Sequence, residues 1–184
     1  MNYRQTVREI TLDQYGYGYV TTRDAAAAGV PAVELRKLAA RGALTNVAFS
    51  LYRLADVRPT EYDQFAEALL RVGDGAYLRG DAVLAMHHLT LVNPRRIRVG
   101  VPRRVRAALP EFVELREEEM PAEDLTIYEG LHSTTVARAL LECRGQVMTE
   151  RLLDAAKQAK SEGLLTGREY ARVRRALTRQ TRVA

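Results

Sequence analysis

The sequence predicts an α+β fold, because patterns typical of helices and patterns typical of strands both occur along its 184 residues. Two short helical segments and a pair of strands fill residues 21–54. A proline at Arg58-Pro59-Thr60 then interrupts the chain. Beyond Ala76, alternating apolar residues that indicate strands occur among further helices, so we expect a second domain of mixed type.

Residues 22–42 predict two helices joined by a tight turn. Thr22 is the expected N-cap of the first helix, and the alanine-rich segment 23–28 favours helix. Gly29 suits the end of this helix, because glycine readily adopts a positive φ. Pro31 is expected at the first position of the second helix, where its missing N–H costs nothing.

The second helix is predicted to bury one face and to expose the other. Its residues Leu35, Leu38 and Ala39 share one face of the helical cylinder. Arg36 and Lys37 point away from that apolar stripe. A helix that buries one face and presents two cations on the other fits the major groove of DNA.

A two-stranded ribbon is predicted after this helix, which Gly42 is expected to end. The strands are residues 44–47 and 51–54, around the turn Ala48-Phe49-Ser50. Helix, turn, helix and ribbon in this order are the layout of a winged helix-turn-helix, a DNA-binding unit. A helical hairpin with ordinary solvated charges is the alternative. The predicted fold class is therefore α+β, with an N-terminal winged helix-turn-helix followed by a small mixed α+β C-terminal domain.

Three segments are predicted along the chain. They are a winged helix-turn-helix domain at 1–58, a connecting helix or linker at 59–75, and an α+β domain at 76–184. The first also contains a helix over 6–15 and a tyrosine–glycine turn over 14–19.

The remaining elements follow from apolar periodicity. Helices are predicted over residues 61–72, 80–89, 134–143, 149–160 and 166–178. Strands are predicted over 97–101, 112–115 and 125–128, in a sheet that we expect to be mostly antiparallel.

Charge is sorted into blocks, although the net charge is only +5. Residues 95–110 carry six arginines and no acidic residue, whereas residues 111–124 carry seven acidic residues and one arginine. Three interpretations of the arginine block remain open: it contacts phosphates, it binds an acidic patch on a partner, or it pairs with Glu117–Glu119 across a hairpin. The six residues are Arg95, Arg96, Arg98, Arg103, Arg104 and Arg106.

A second basic surface is predicted on the last helix. Its arginines recur at steps of three and four residues, so they form a stripe along one face. The stripe is either an ordinary solvated face or a further phosphate-contacting surface. Its members are Arg168, Arg172, Arg175 and Arg179.

The sequence contains no recognisable catalytic constellation. His87 and His88 are adjacent, so they cannot chelate one metal ion from the same helix face. His132 has no evident carboxylate to orient it, and neither a Walker loop nor a G-x-G-x-x-G motif occurs. The single cysteine, Cys143, is expected to be a buried and inert thiol. We therefore expect no enzymatic activity, cofactor or metal.

Two regions resemble the AbiEi-type antitoxins. The first combines the helical turn, the second helix and the second strand of residues 29–54. Its matching motifs are Gly29-Val30, Leu35-Arg36-Lys37-Leu38, Arg41-Gly42-Ala43-Leu44 and Leu51-Tyr52-Arg53-Leu54. The second region is Gly130 to Arg144, with the letters GLHSTTVARALLECR.

This resemblance implies an antitoxin that is also a transcriptional autoregulator of its own operon. The winged helix would bind operator DNA with repeats, with a homodimer on the DNA as one arrangement, and the C-terminal part would counteract a nucleotidyltransferase-like toxin. The chain departs from the family at the tip of the wing. Ala48-Phe49-Ser50 replaces the usual Arg-Arg-Gly, so Phe49 is expected to pack on the domain or to touch a partner.

The predicted functional residues form two sets. DNA contacts are expected from Thr22, Val33, Arg36, Lys37, Arg41 and Arg53. Contacts with a partner or with phosphates are expected from Arg95, Arg96, Arg98, Arg103, Arg104, Arg168, Arg172, Arg175 and Arg179.

Two alternative functions remain open. One is a winged-helix transcriptional repressor whose second domain senses a small molecule or dimerises; the other is a protein-interaction module that has lost DNA binding. No apolar run reaches membrane-spanning length, and MNYRQTVREI lacks the core of a signal peptide. We therefore expect a cytoplasmic protein with no membrane partner.

Overall fold

The chain forms two compact units in a computed structural model that describes residues 2–14, 17–89, 94–106 and 108–179. The units are Met1–Arg71 and Val72–Ala184. The segment 59–75, predicted as a connection, is therefore divided between them. Nearly all of its helix belongs to the N-terminal unit.

The N-terminal unit contains four helices and a three-stranded antiparallel sheet among its described residues. Strand Leu51–Leu54 lies in the middle of this sheet, between strands Tyr19–Thr21 and Leu44–Ala48. The elements are α1 (Tyr3–Gln14), β1 (Tyr19–Thr21), α2 (Thr22–Ala27), α3 (Ala32–Ala40), β2 (Leu44–Ala48), β3 (Leu51–Leu54) and α4 (Asp63–Val72). This order confirms the predicted winged helix-turn-helix.

One apolar cluster holds these elements together. It brings the inward faces of α1, α2 and α3 against the sheet, so that every element of the helix-turn-helix contributes to one core. The buried members are Val7, Val20, Ala25, Val30, Leu35, Leu38, Leu44, Tyr52 and Leu54.

The start of each helix in the helix-turn-helix differs from the prediction by one residue. Thr21, not Thr22, is the N-cap of α2, and its hydroxyl oxygen accepts a hydrogen bond from the Asp24 N–H at 3.1 Å. Thr22 is already helical, and its own N–H donates to the Ser50 carbonyl. Pro31 is the N-cap of α3 rather than its first helical residue, because its ψ of 145° is extended.

The strand β1 was missed, because its tyrosine and glycine neighbours indicated a turn. Tyr19 to Thr21 pairs with Leu51 to Arg53 of β3. Tyr15 and Gly16, which complete the predicted turn and the predicted first helix, lie outside the described residues.

The C-terminal unit contains a five-stranded sheet, four α-helices and a short 3-10 helix (Ala122–Asp124) in the part that the structure describes. Its strands are β4 (Tyr77–Leu78), β5 (Ile97–Val101), β6 (Val113–Glu117), β7 (Leu125–Tyr128) and β8 (Leu131–Thr134). Its helices are α5 (Asp81–Met86), α6 (Val136–Glu142), α7 (Thr149–Ser161) and α8 (Gly167–Thr178). Within this unit α5 packs against β5 and α6, and α6 also contacts α7 and α8.

The expectation of a mostly antiparallel sheet was wrong. The strand order is β6-β5-β4-β8-β7, in which β5 with β6 and β4 with β8 are parallel pairs. Strand β4 was not predicted, because it has only two residues. Thr134, the last residue of β8, was expected in a helix. Helix α6 starts later, at Val136, with Thr135 as its N-cap.

A close approach between two strands of this sheet requires a glycine. Gly100 on β5 lies opposite Tyr77 on β4. A Cβ at position 100 would lie 2.2 Å from the Tyr77 ring, so any other residue would displace that ring. The ring is held in place by its hydroxyl, which donates to the Glu118 carbonyl at 2.7 Å.

Two residues that were considered for catalysis are part of the C-terminal core. His87 is 8% exposed, and its ring centroid lies 4.0 Å from that of Tyr128. Burial lowers the pKa of His87 to about 4. Burial also raises the pKa of the Cys143 thiol to about 12, so this side chain is protonated at neutral pH. Among the described residues, no group of three or more His, Cys, Asp or Glu could hold a metal ion.

His87 makes the stability of the C-terminal unit depend on pH. Its folded pKa of about 4 lies below the unfolded value near 6.5, so between these values the unfolded chain binds more protons. The contribution of neutral, buried His87 to the free energy of unfolding is complete above pH 6.5, and it is lost as the pH falls towards 4. The loss attributable to this group should be about 2 kcal/mol at pH 5.

Urea unfolding of wild type and of His87→Phe at pH 7 and pH 5 measures this loss. The variant keeps an aromatic ring against Tyr128 but cannot titrate, so its free energy of unfolding should change less with pH. His132→Gln, at an exposed position of β8, is the control and should behave as wild type. An equal pH dependence in wild type and His87→Phe would contradict the prediction.

Candidate nucleic-acid interface

Helix α3 separates its residues into a buried and an exposed face, as predicted. Leu35 is fully buried and Leu38 is 8% exposed, and both belong to the apolar core of the unit. The exposed residues lie on the opposite side, at spacings of three and four residues. They are Ala32, Val33, Arg36, Lys37 and Ala40.

This exposed face combines side chains that suit base edges in a major groove. The Arg36 guanidinium makes no ion pair with any described residue, so its fork of donors is available for a guanine edge. Val33 is 45% exposed and offers an apolar surface to a thymine methyl group. Lys37 Nζ lies 2.8 Å from Glu34 Oε1. An exposed pair of this kind contributes little stability, so the lysine can exchange it for a phosphate.

The wing is formed by β2 and β3, with Phe49 and Ser50 in the turn between them. Phe49 is 98% exposed, so the expectation that it packs on the body of the domain is wrong, and contact with a partner remains as its predicted role. Ser50 has a φ of 60°, a conformation that glycine usually supplies in such turns.

Two other predicted DNA contacts lie at the ends of helices. Thr22 is half-buried at the start of α2, and its backbone N–H is used within the unit. Arg41 is exposed and is the C-cap residue of α3.

Arg53 was predicted to contact DNA, but the structure gives it an internal partner. Its Nη2 lies 2.7 Å from Asp63 Oδ2, and the two side chains are 16% and 15% exposed. Its guanidinium also lies over the Tyr19 ring, 5.6 Å from the ring centroid. This pair connects β3 to α4, so Arg53 is part of the scaffold that supports the wing.

The environment of Arg53 also affects Tyr19. Burial is the main cause that raises the pKa of the Tyr19 hydroxyl to about 12. The carboxylates of Glu67 and Asp63 also raise this pKa, and their effect is larger than the opposite effect of Arg53. Tyr19 is therefore neutral at physiological pH and acts as a packing surface.

The arginine block 95–106 does not act as one surface. Arg98 is 24% exposed and lies between Asp81 Oδ1 at 3.4 Å and Glu114 Oε1 at 3.3 Å. Arg103 Nη2 lies 3.8 Å from Asp74 Oδ2. The remaining members of the block, Arg95, Arg96, Arg104 and Arg106, are exposed.

The third interpretation of this block, pairing with Glu117–Glu119 across a hairpin, does not agree with the sheet. Strands β5 and β6 are parallel, so they do not form a hairpin. Glu118 is instead bound by arginines from elsewhere in the sequence, at distances from 2.6 to 3.6 Å. These are Arg79, Arg116 and Arg138.

Arg79 is the charged residue that sequence analysis missed. It is 5% exposed, and its two terminal nitrogens lie 2.6 Å from Glu118 Oε2 and 2.6 Å from Glu142 Oε1. The bond from Arg79 holds the pKa of Glu118 below its usual range. The sequence signal was a charged residue directly after the apolar run Ala76-Tyr77-Leu78, which indicates a buried ion pair.

These pairs surround a cleft of about 340 Å³ in the C-terminal unit. Its walls carry positively and negatively charged side chains, most of them in ion pairs. A small-molecule site usually offers an apolar surface instead. The lining includes Arg79, Arg98, Glu114, Arg116, Glu118, Arg138, Glu142 and Arg144.

The stripe on α8 is exposed, as its spacing predicted. The helix begins with a capping box, in which Thr166 and Glu169 exchange hydrogen bonds. Its inward side chains Val173 and Leu177 are buried, so the arginines face away from the core of the unit. The stripe residues Arg168, Arg172, Arg175 and Arg179 make no ion pair with any described residue.

The Arg53–Asp63 pair should contribute to stability rather than to recognition. Arg53→Met leaves a largely buried carboxylate without its cation, which should lower the free energy of unfolding by about 2 kcal/mol. Arg36→Met is the matched control and should change it by less than about 0.5 kcal/mol, because Arg36 is exposed. Urea titrations measure both, and equal midpoints for Arg53→Met and wild type would contradict the assignment.

Comparison with protein families gives a match in the N-terminal unit. Residues 8–55 match the family model described as "Transcriptional regulator, AbiEi antitoxin". This range runs from α1 through the helix-turn-helix to the end of the wing. No curated protein matches the chain. None of the described helices is both long and apolar enough to cross a membrane. The match confirms the predicted resemblance for this part of the chain: residues 8–55 are similar to the AbiEi antitoxin family of transcriptional regulators.

Proposed function

We propose that this chain is a DNA-binding antitoxin that represses its own operon and counteracts a cognate nucleotidyltransferase-like toxin. The observation that carries the DNA-binding half is the exposed face of α3. Arg36, the one cation of this helix without an ion pair among the described residues, lies there beside Lys37 and Val33.

The mechanism of repression follows from this face. Helix α3 enters a major groove, Arg36 reads a base edge, and Lys37 leaves Glu34 to contact a phosphate. Arg41, at the exposed end of the helix, reaches the backbone. Because the operator carries repeats, two copies of the chain bind side by side or as a homodimer, and they block transcription together.

The C-terminal unit supplies a second contact. The stripe on α8 covers eleven residue steps, or about 16 Å along the helix axis. Four arginines that have no ion pair among the described residues suit a run of phosphates over this length, and they equally suit an acidic surface of the toxin. The proposal of a nucleotidyltransferase-like toxin rests on the family resemblance.

A small-molecule sensor is less well supported. A sensing domain needs an apolar pocket with a few convergent polar groups. The cleft described in the C-terminal unit is lined by ion-paired arginines and glutamates instead.

Replacing the cations of α3 should abolish specific binding without unfolding the chain. The double variant Arg36→Ala/Lys37→Ala is expected to lose at least about 30-fold in affinity for the chain's own upstream DNA, since each base or phosphate contact is worth about 1–3 kcal/mol. Arg4→Ala, an exposed arginine of α1, is the matched control. Fluorescence anisotropy with labelled duplexes measures the affinity, and an unchanged affinity of the double variant would overturn the recognition-helix assignment.

The α8 stripe should be visible in the salt dependence of binding. If Arg172 and Arg175 contact phosphates, Arg172→Gln/Arg175→Gln should reduce the slope of log K against log salt by about 2, for specific and scrambled duplexes alike. Arg151→Gln/Lys157→Gln removes two exposed cations from α7 and should leave the slope unchanged. An unchanged slope in the α8 variant would mean that the stripe contacts no phosphate.

A further inference from the structure

The tip of the wing presents an aromatic side chain to solvent. Phe49 is 98% exposed, more than any other large apolar side chain among those described; the next, Met148, is 64% exposed. A phenylalanine in water forgoes the free energy that its burial would supply. Within the described part of the N-terminal unit, therefore, nothing in the packing accounts for an aromatic residue at this position.

The backbone that carries Phe49 is held firmly. The Ser50 carbonyl accepts a hydrogen bond from the Thr22 N–H at 2.9 Å, which places the wing tip beside the start of α2. The register of β2 against β3 shifts between Asn46 and Ala48, so Val47 forms a bulge. Arg71 Nη2 donates to the Val47 carbonyl at 3.2 Å.

Arg71 itself is fixed by a further contact, because its Nη2 and Nε bind Glu67 Oε1 at 2.5 and 3.0 Å. The wing is therefore ordered before it meets a ligand, and little conformational entropy is lost when Phe49 is buried.

The chemistry of the wing differs from that of a phosphate-binding loop. Ala48, Phe49 and Ser50 carry no charge, and the exposed residues Thr45 and Asn46 of β2 are polar and neutral. Proteins that enter the minor groove use asparagine side chains to read base edges and insert apolar side chains, phenylalanine among them, between base pairs. The composition of this wing fits that mode of binding.

We propose that Phe49 is a wedge that enters the minor groove of the operator and separates two stacked base pairs, next to the major groove that α3 occupies. The inference rests on the proposed operator binding and deepens it. Insertion bends the DNA towards the major groove. Pyrimidine–purine steps are flexible and bend at low cost, so they are preferred at this point although no side chain forms a hydrogen bond with their bases.

The test uses the full chain and a duplex of its own upstream DNA, with 2-aminopurine placed at successive positions. This base fluoresces when it is unstacked. Wild type should raise the fluorescence at one step, and Phe49→Ala should abolish that signal and weaken binding about 10-fold, the loss of one aromatic–base stack. The slope of log K against log salt should not change, because phenylalanine neutralises no phosphate.

Two further variants distinguish a wedge from a phosphate contact. Phe49→Leu keeps an apolar side chain and should retain part of the fluorescence signal. Phe49→Arg should steepen the salt slope by about one and give no signal. Met148→Ala, which removes an exposed apolar side chain of the C-terminal unit, is the control and should behave as wild type. Circular dichroism checks that each variant is folded.

Each remaining outcome has a distinct meaning. If wild type binds its upstream DNA selectively and Phe49→Ala binds equally well with the same fluorescence, the wedge is overturned and the proposed function stands. If wild type shows no selectivity over a scrambled duplex, operator binding fails, and the wedge fails with it. If Phe49→Ala keeps its DNA affinity but loses affinity for the toxin, Phe49 contacts protein instead.

Discussion

The burial of one face of α3 is the constraint on which the rest of the candidate site depends. Leu35 and Leu38 lie in the same apolar cluster as Leu44 and Leu54 of the wing strands, so helix and wing are positioned by one core. The helical period then leaves Arg36 no orientation except outwards. A polar substitution at Leu35 would therefore disturb the proposed recognition without touching DNA, because it would release the helix from the surface that orients it.

Arginine has two different uses in this chain. Arg53 and Arg79 are largely buried and bonded to carboxylates, where they connect different elements of the fold. Arg36 and the α8 stripe are exposed and have no ion pair among the described residues. A guanidinium that already holds a buried carboxylate is not available to a phosphate, since breaking such a pair leaves an uncompensated charge. The presence or absence of a bonded carboxylate, rather than the local density of charge, therefore distinguishes arginines of the scaffold from arginines of the candidate interface.

This distinction also explains how far the sequence could predict the molecule. The faces of α3, the strand β3 and the stripe on α8 follow from local periodicity, and all were predicted. The role of Arg53 was not predicted, because Asp63 lies ten positions away in the sequence and only folding brings the two side chains together. Arg79 and Glu142 are separated by 63 positions, and the short strand β4 has too few residues to show a pattern. The cap of α2 was misplaced because Thr21 ends a strand and starts a helix at the same residue.

The central claim is that α3 carries a sequence-selective interface and that the chain binds the DNA of its own operon. A salt titration of binding to its upstream DNA, against a scrambled duplex of equal length, tests this most directly. The account predicts tight binding to the upstream duplex, much weaker binding to the scrambled one, and a steep loss of both affinities as salt rises. Weak binding that is equal for the two duplexes at every salt concentration would contradict it, and the winged helix would then be a surface for protein contacts.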